Sequence, residues 1–233
     1  MLQIRQADER DALTERQKAV LDAALQLMVE QGDGLTMTAV ARRASCSKET
    51  LYKWFGDRDG LLTATVQWQA SKVTVAPVDR ERLDLASLAA RLEEFAASWL
   101  AVISTDTSIA LNRLAVAHAG SDKHDRGRDR SPDRSNDLGA IVLANGRFAM
   151  GRRLKPVLEA GRDAGLLAFD DAEAAFRTFF GLVGRDVQIR LLLGDRFALS
   201  KADIARDAAL ATRQFLSLHA TQPHGRKKAG DQL

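Results

Sequence analysis

The sequence predicts an all-α protein, and three observations carry that expectation. Leu and Ala dominate, aromatics make up 6% and there are only 4 prolines in 233 residues. β-Branched residues do not gather in alternating runs. Apolar residues recur instead at the three- and four-residue spacing of a helix face. The same composition limits the class of protein. No apolar stretch reaches the ~18–20 residues that cross a bilayer. The charged start, MLQIRQADERDALTER, lacks the apolar core of a signal peptide. A single cysteine, Cys46, rules out an intrachain disulfide. The expectation is a cytoplasmic protein with no membrane partner.

The first helix begins near Arg16, with Val20, Ala24, Leu27 and Met28 on one face, and Gln31 to Gly34 ends it. Thr36 is placed to cap a second, short helix whose inner face is Met37, Val40, Ala41 and Ala44. Ser45-Cys46 is a tight turn, with Cys46 packing inward. Ser47 caps a third helix, Lys48 to Phe55, with Leu51 and Phe55 inward, and Gly56-Asp57 breaks it. A longer helix runs from about 58 to 75 and stops near Pro77. Further helices are expected at about 80–103, 105–119, 137–145, 147–164, 171–193 and 200–219, with Pro156 kinking or splitting its segment. Between 120 and 136 the chain reads GSDKHDRGRDRSPDRSN, which has no apolar anchor and is expected to be a disordered, solvated loop. The basic tail is expected to be disordered as well. The organisation that follows is a head over 1–62, with 1–14 a disordered arm, a second domain over 63–219 carrying the flexible loop 121–136, and a tail over 220–233.

The informative stretch is TMTAVARRASCSKETLYKWFGDRDGLL, residues 36–62. Two short helices joined by a tight turn, the second one capped, form a helix-turn-helix whose second helix enters a DNA major groove. With Leu51 and Phe55 inward, the outer face holds Lys48, Glu49, Tyr52 and Lys53. The helix start, Ser47 to Thr50, is the end that meets base edges. The hydroxyls of Thr36, Thr38, Ser47, Thr50 and Tyr52, with the two helix N-termini, offer hydrogen bonds to phosphates. Charge alone says little. Residues 16–60 hold seven basic and six acidic side chains and the whole chain is +3, so geometry must gather the positive charge on one face.

In these elements the segment resembles the DNA-binding domain of the TetR family. The likeness rests on the cap Thr36, the pair Val40-Ala41, Ala44, Ser47-Lys48, Leu51-Tyr52, Phe55 and the entry Arg58 to Leu61, over about residues 16–62. The later part is similar to the AefR-like subgroup through Lys48-Glu49-Thr50-Leu51-Tyr52-Lys53-Trp54-Phe55. The resemblance implies a homodimer, a palindromic double-stranded operator and a cavity for a small-molecule effector that releases a repressor. By position it implies DNA contacts at Thr36, Thr38, Ser47, Lys48, Glu49, Thr50, Tyr52, Lys53, Trp54 and Arg58. One departure stands out: Ser45 occupies the turn position where the family usually has Gly, which implies either left-handed strain or a slightly different turn.

Other residues carry two readings. Trp68, Phe95, Trp99, Phe148 and Phe176 either line an effector pocket or are core. Leu114 and His118 belong to a helix that encloses the pocket in the family, and His118 is otherwise a satisfied, half-buried histidine. Residues 171–193 are apolar on two faces, which burial within one protomer would allow and a dimer interface explains better, with Gly181 and Gly184 permitting close approach. Phe180, Val183, Gly184 and Val187, with Ala208, Ala211 and Phe215 on the last helix, would form a four-helix bundle between two subunits. There is no nucleophile elbow, phosphate-binding loop, HExxH or CxxC, so neither catalysis, a cofactor nor a metal is expected. An α-helical enzyme or a protein-binding module remains the alternative class.

Overall fold

A computed structural model describes residues 13–32, 35–119 and 138–221. They are helical, with helices α1 (Glu15–Gln31), α2 (Met37–Arg43), α3 (Lys48–Phe55), α4 (Arg58–Ser71), α5 (Leu85–Ile103) and α6 (Asp106–His118). These are followed by α7 (Leu138–Val142), a π-helical turn (Leu143–Arg147), α8 (Phe148–Asp163), α9 (Ala172–Gly184), α10 (Val187–Leu192) and α11 (Lys201–His219). The expected loop 121–136, and the arm and tail apart from Leu13, Thr14, Ala220 and Thr221, lie outside the described residues.

The chain forms two compact units. Of the described residues, the first gathers those within 1–73, 101–150 and 186–198, and the second those within 74–100, 151–185 and 199–233.

In the first unit one apolar cluster joins α1, α2, α3, α4, α6 and α7 through Val20, Leu21, Leu25, Val40, Leu51 and Leu61, all buried. The helix starts are hydrogen-bonded as the sequence asks. Thr14 and Gln17 close a capping box on α1, and Asp57 caps α4 by accepting from Gly60 N at 2.7 Å. Such caps are each worth about 0.5–2 kcal/mol. Three consecutive residues of α4 fan out to three neighbours: Gln67 donates to Asn145 of the π turn (3.0 Å), Trp68 to Asp22 of α1 (2.8 Å) and Gln69 to Ser108 of α6 (2.7 Å). Successive helix residues point about 100° apart, so such a run reaches several partners at once.

The second unit is an aromatic core. Phe95, Phe176, Phe179 and Phe215 are fully buried. Phe179 meets Phe215 at 5.2 Å between ring centroids and Phe95 at 6.2 Å, within the range in which aromatic pairs attract. Leu167 and Ala220 form an isolated antiparallel bridge that ties the end of α11 to the α8–α9 connection.

Three expected boundaries change. The segment 171–193 is two helices, because Arg185 takes φ 41° and ends α9 after Gly184. Segments 137–145 and 147–164 are continuous through the π turn rather than separate. Pro156 neither splits nor ends α8, which runs from Phe148 to Asp163 around it with the proline exposed.

Candidate nucleic-acid interface

The helix-turn-helix comprises α2, the turn Ala44 to Ser47, and α3. Thr36 Oγ1 accepts from Ala39 N at 3.1 Å and Ser47 Oγ accepts from Thr50 N at 3.1 Å. Both predicted caps therefore exist. Ser47 Oγ also lies 3.1 Å from Thr50 Oγ1, so these two hydroxyls are engaged with each other and with the backbone before any ligand arrives. The turn closes through Ala44 N to Val40 O (2.8 Å) and Cys46 N to Ala41 O (3.0 Å). Ser45 holds φ 51°, the left-handed region that the departure from glycine implied. Cys46 is half-buried against the apolar cluster, as expected of a turn hydrophobe.

Helix α3 divides into two faces. Leu51 is fully buried, while Lys48, Glu49, Tyr52 and Lys53 are exposed, Tyr52 by 52%. Glu49 sits in the first turn, and its own backbone N–H, together with the Ser47 hydroxyl, holds its carboxyl below the usual range. It is therefore an acceptor-only group at neutral pH, suited to an exocyclic amino group on a base rather than to a phosphate.

Two of the expected contact residues have structural duties. Trp54 is half-buried against the cluster, edge-on to Phe55 at 6.2 Å. Arg58 is half-buried and its Nε donates to Leu35 O at 3.2 Å, which fixes the chain just before α2. Thr36 and Thr38 are exposed at the start of α2. Sequence reasoning missed Gly60. A Cβ there would stand 1.9 Å from Phe55 O, so the α3–α4 junction admits no side chain. The Gly at the third position of a capped helix was the available signal.

The expected pocket residues fall in both units. In the first unit Trp68 is half-buried, with its indole N–H on Asp22 and the ammonium groups of Lys18 and Lys72 at 5.8 and 5.4 Å from its ring. Phe148 is 52% exposed. Leu114 packs half-buried on the apolar cluster, and its carbonyl lies 2.8 Å from His118 Nδ1. In the second unit Phe95, Trp99 and Phe176 are buried in contact with other rings, Trp99 lying 3.9 Å from Phe180 between centroids. That is the packing of a core.

Most of the expected dimer set is enclosed by its own chain. Val183, Val187, Ala208, Ala211 and Phe215 are buried within the protomer. A Cβ on Gly184 would stand 2.8 Å from the Trp99 ring, so the close approach that this glycine permits is to its own chain. Phe180 is half-buried against Trp99 and Phe176. Side chains already enclosed by their own protomer have no area left to give a partner. The open surface of these helices lies instead at Gly181, which has nothing within 4 Å of a Cβ, and at Leu218, 64% exposed.

Residues 20–65 match the family profile of bacterial regulatory proteins of the tetR family, and residues 90–221 match the C-terminal domain of AefR-like transcriptional repressors. A TetR transcriptional regulator from Agrobacterium tumefaciens is 44% identical, the likeness covering 90% of this chain and 97% of that one with a TM-score of 0.72. The flavonoid-responsive regulator FrrA is 25% identical over 89% of this chain and 98% of its own, with a TM-score of 0.63. The HTH-type transcriptional regulator BetI of Rhizobium meliloti (strain 1021) is 34% identical over 119 residues, 45% of this chain and 59% of BetI. The chain thus spans about three fifths of that curated relative. It belongs to the TetR family, whose members are helix-turn-helix transcriptional regulators. Among the described residues no helix is long and apolar enough to cross a membrane.

Proposed function

We propose that this protein is a homodimeric, sequence-specific regulator that represses transcription from a palindromic double-stranded operator in the cytoplasm and is released by a small-molecule effector. The carrying observation is the two-faced α3: Leu51 buried, and Lys48, Glu49, Tyr52 and Lys53 exposed beside a capped helix start. Residues 1–62 serve as the reading head and 63–219 as the effector and dimerisation domain. Lys48 and Glu49 face base edges. Tyr52, Lys53, Thr36 and Thr38 hold phosphates, Ser47 and Thr50 set the helix start, and Trp54 and Arg58 support the head. The effector domain is favoured by the likeness of 90–221 to AefR-like repressors, and a small organic effector by the likeness to a flavonoid-responsive regulator. The partner surface is assigned to the open face of α9 and α11 around Gly181 and Leu218.

The experiment selects a binding site from random-sequence duplexes and compares Lys48→Ala and Lys53→Ala on that site and on a scrambled duplex across a salt series. Lys53→Ala is expected to weaken both duplexes about equally and to lower the salt slope by about one counterion, the mark of a lost phosphate contact. Lys48→Ala is expected to lose ~1–3 kcal/mol on the selected site and to relax choice at one symmetric pair of positions. If neither variant changes binding to either duplex, α3 is not the reading helix.

A further inference from the structure

The α2–α3 turn is unusual in what holds it. Ser45 has φ 51°, a conformation in which a Cβ is unfavourable and for which glycine is the ordinary choice. From the first turn of α1, the Arg16 guanidinium reaches the same place. One terminal nitrogen donates to Ala44 O and to Ser45 O, each at 2.8 Å. Beside this bridge lies an open groove of about 500 Å³, lined by Arg16, Asp22, Gln26, Arg43, Ala44 and Ser45. On this side, then, hydrogen bonds rather than filled space hold the turn. Arg43 cannot take over the task, because its guanidinium is paired with Glu30. Ser47, which caps α3, follows Ser45 by two residues, so a change in the Ser45 backbone re-aims the whole helix.

We propose that Arg16 is a positioning residue for base reading: its guanidinium holds the Ser45 turn in the left-handed conformation and so aims α3. Neither residue needs to touch a base. This inference rests on the DNA-binding reading above. The competing role for an exposed arginine is a direct phosphate contact, which carries no sequence information.

The test is a double-mutant cycle of Arg16→Met and Ser45→Gly, with Arg16→Lys as the conservative variant. Each protein is measured on the selected site and on a scrambled duplex across a salt series, with melting recorded without DNA. Arg16→Met is expected to weaken the selected site about tenfold, the scale of a lost charge-assisted hydrogen bond, while the scrambled duplex changes less than about twofold. Ser45→Gly is expected to change the wild-type protein less than about twofold yet to restore about threefold or more in the Arg16→Met background, since glycine holds the turn without help. Arg16→Lys keeps the charge and loses the fork, so it is expected to weaken the selected site by about threefold at an unchanged salt slope. Should Arg16→Met not fold, Arg16→Lys alone carries the test.

Equal losses on both duplexes with a shallower salt slope would overturn the proposal in favour of a phosphate contact. So would the absence of rescue by Ser45→Gly, or Arg16→Lys binding as wild type. If the wild-type protein enriches no duplex, the DNA-binding reading fails by itself. The melting cycle still reads the clamp in that case, and additive effects of Arg16→Met and Ser45→Gly would show that no clamp exists.

Discussion

The head and the aromatic core of the second unit are both built from short apolar repeats, but they differ in what keeps their helices in place. Around α3 the parts are pinned by directional bonds: the caps Thr36 and Ser47, Arg58 on Leu35 O, and Arg16 on the turn. Around α9 and α11 the helix starts are capped in the same way by Asp171 and Ser200, and Phe95, Phe176, Phe179 and Phe215 fill the interior beside them. Directional bonds fix an angle, and packing fixes a distance.

The sharpest way to break the head is Gly60→Ala. A Cβ at 1.9 Å from Phe55 O meets backbone, which cannot rotate away. The variant is expected to open the α3–α4 junction, and a large fall in melting temperature together with lost DNA binding would show it. An alanine tolerated at wild-type stability would mean that the junction is looser than the structure shows.

Next in size is Phe215→Ala in the second unit. Removing a fully buried ring costs about 3–5 kcal/mol in other cores. If volume is what holds this region, denaturant unfolding will register a loss of that order. Phe215→Leu, which restores most of the volume, will recover most of it. Replacing the exposed Leu218 with Asp is expected to leave melting of the protomer nearly unchanged but to weaken self-association, which sedimentation can read. A Leu218→Asp protein that assembles as wild type would move the partner surface elsewhere.

This contrast also explains what the sequence revealed. The head was legible because hydroxyls, glycines and apolar residues each stood at positions with one physical use: Thr36 and Ser47 before helices, Leu51 on the inner face, Ser45 where the chain turns. The dimer set was not legible. An apolar stripe such as Phe176, Val183, Val187 states that a face is buried, and not whether the same chain or a second copy buries it. Here the chain itself encloses Val183, Val187, Ala208, Ala211 and Phe215. Nor does an apolar repeat announce a single residue in the left-handed region, and so Arg185 divided a segment that reads as one helix. The same ambiguity attaches to the pocket residues, since Phe95 and Trp99 look alike in sequence whether they line a space or fill one.

The smallest expected effect compares carboxylates in the two units. Glu30 in the head is held below its usual pKa chiefly by the hydrogen bond from Arg43, and Asp203 in the second unit chiefly by the Ser200 hydroxyl, then by Arg206. Glu30 is exposed and Asp203 half-exposed, and water screens such interactions, so each contribution is small. The sign is fixed by linkage. A carboxylate whose folded pKa lies below its unfolded one adds stability that is fully present above the unfolded value, about 4. That stability is lost as pH falls through the depressed folded value. Glu30→Gln and Asp203→Asn are therefore each expected to melt slightly below wild type near neutral pH and to converge with it as the solution is acidified below the carboxylate range. Added salt should narrow the Glu30 gap more, because Glu30 depends most on a charged partner, whereas the leading bond to Asp203 comes from a neutral hydroxyl. Melting curves at two salt concentrations across that acid range decide the matter. Should the Asp203 gap shrink with salt as much as the Glu30 gap, ion pairing with Arg206 rather than the Ser200 cap holds the start of α11.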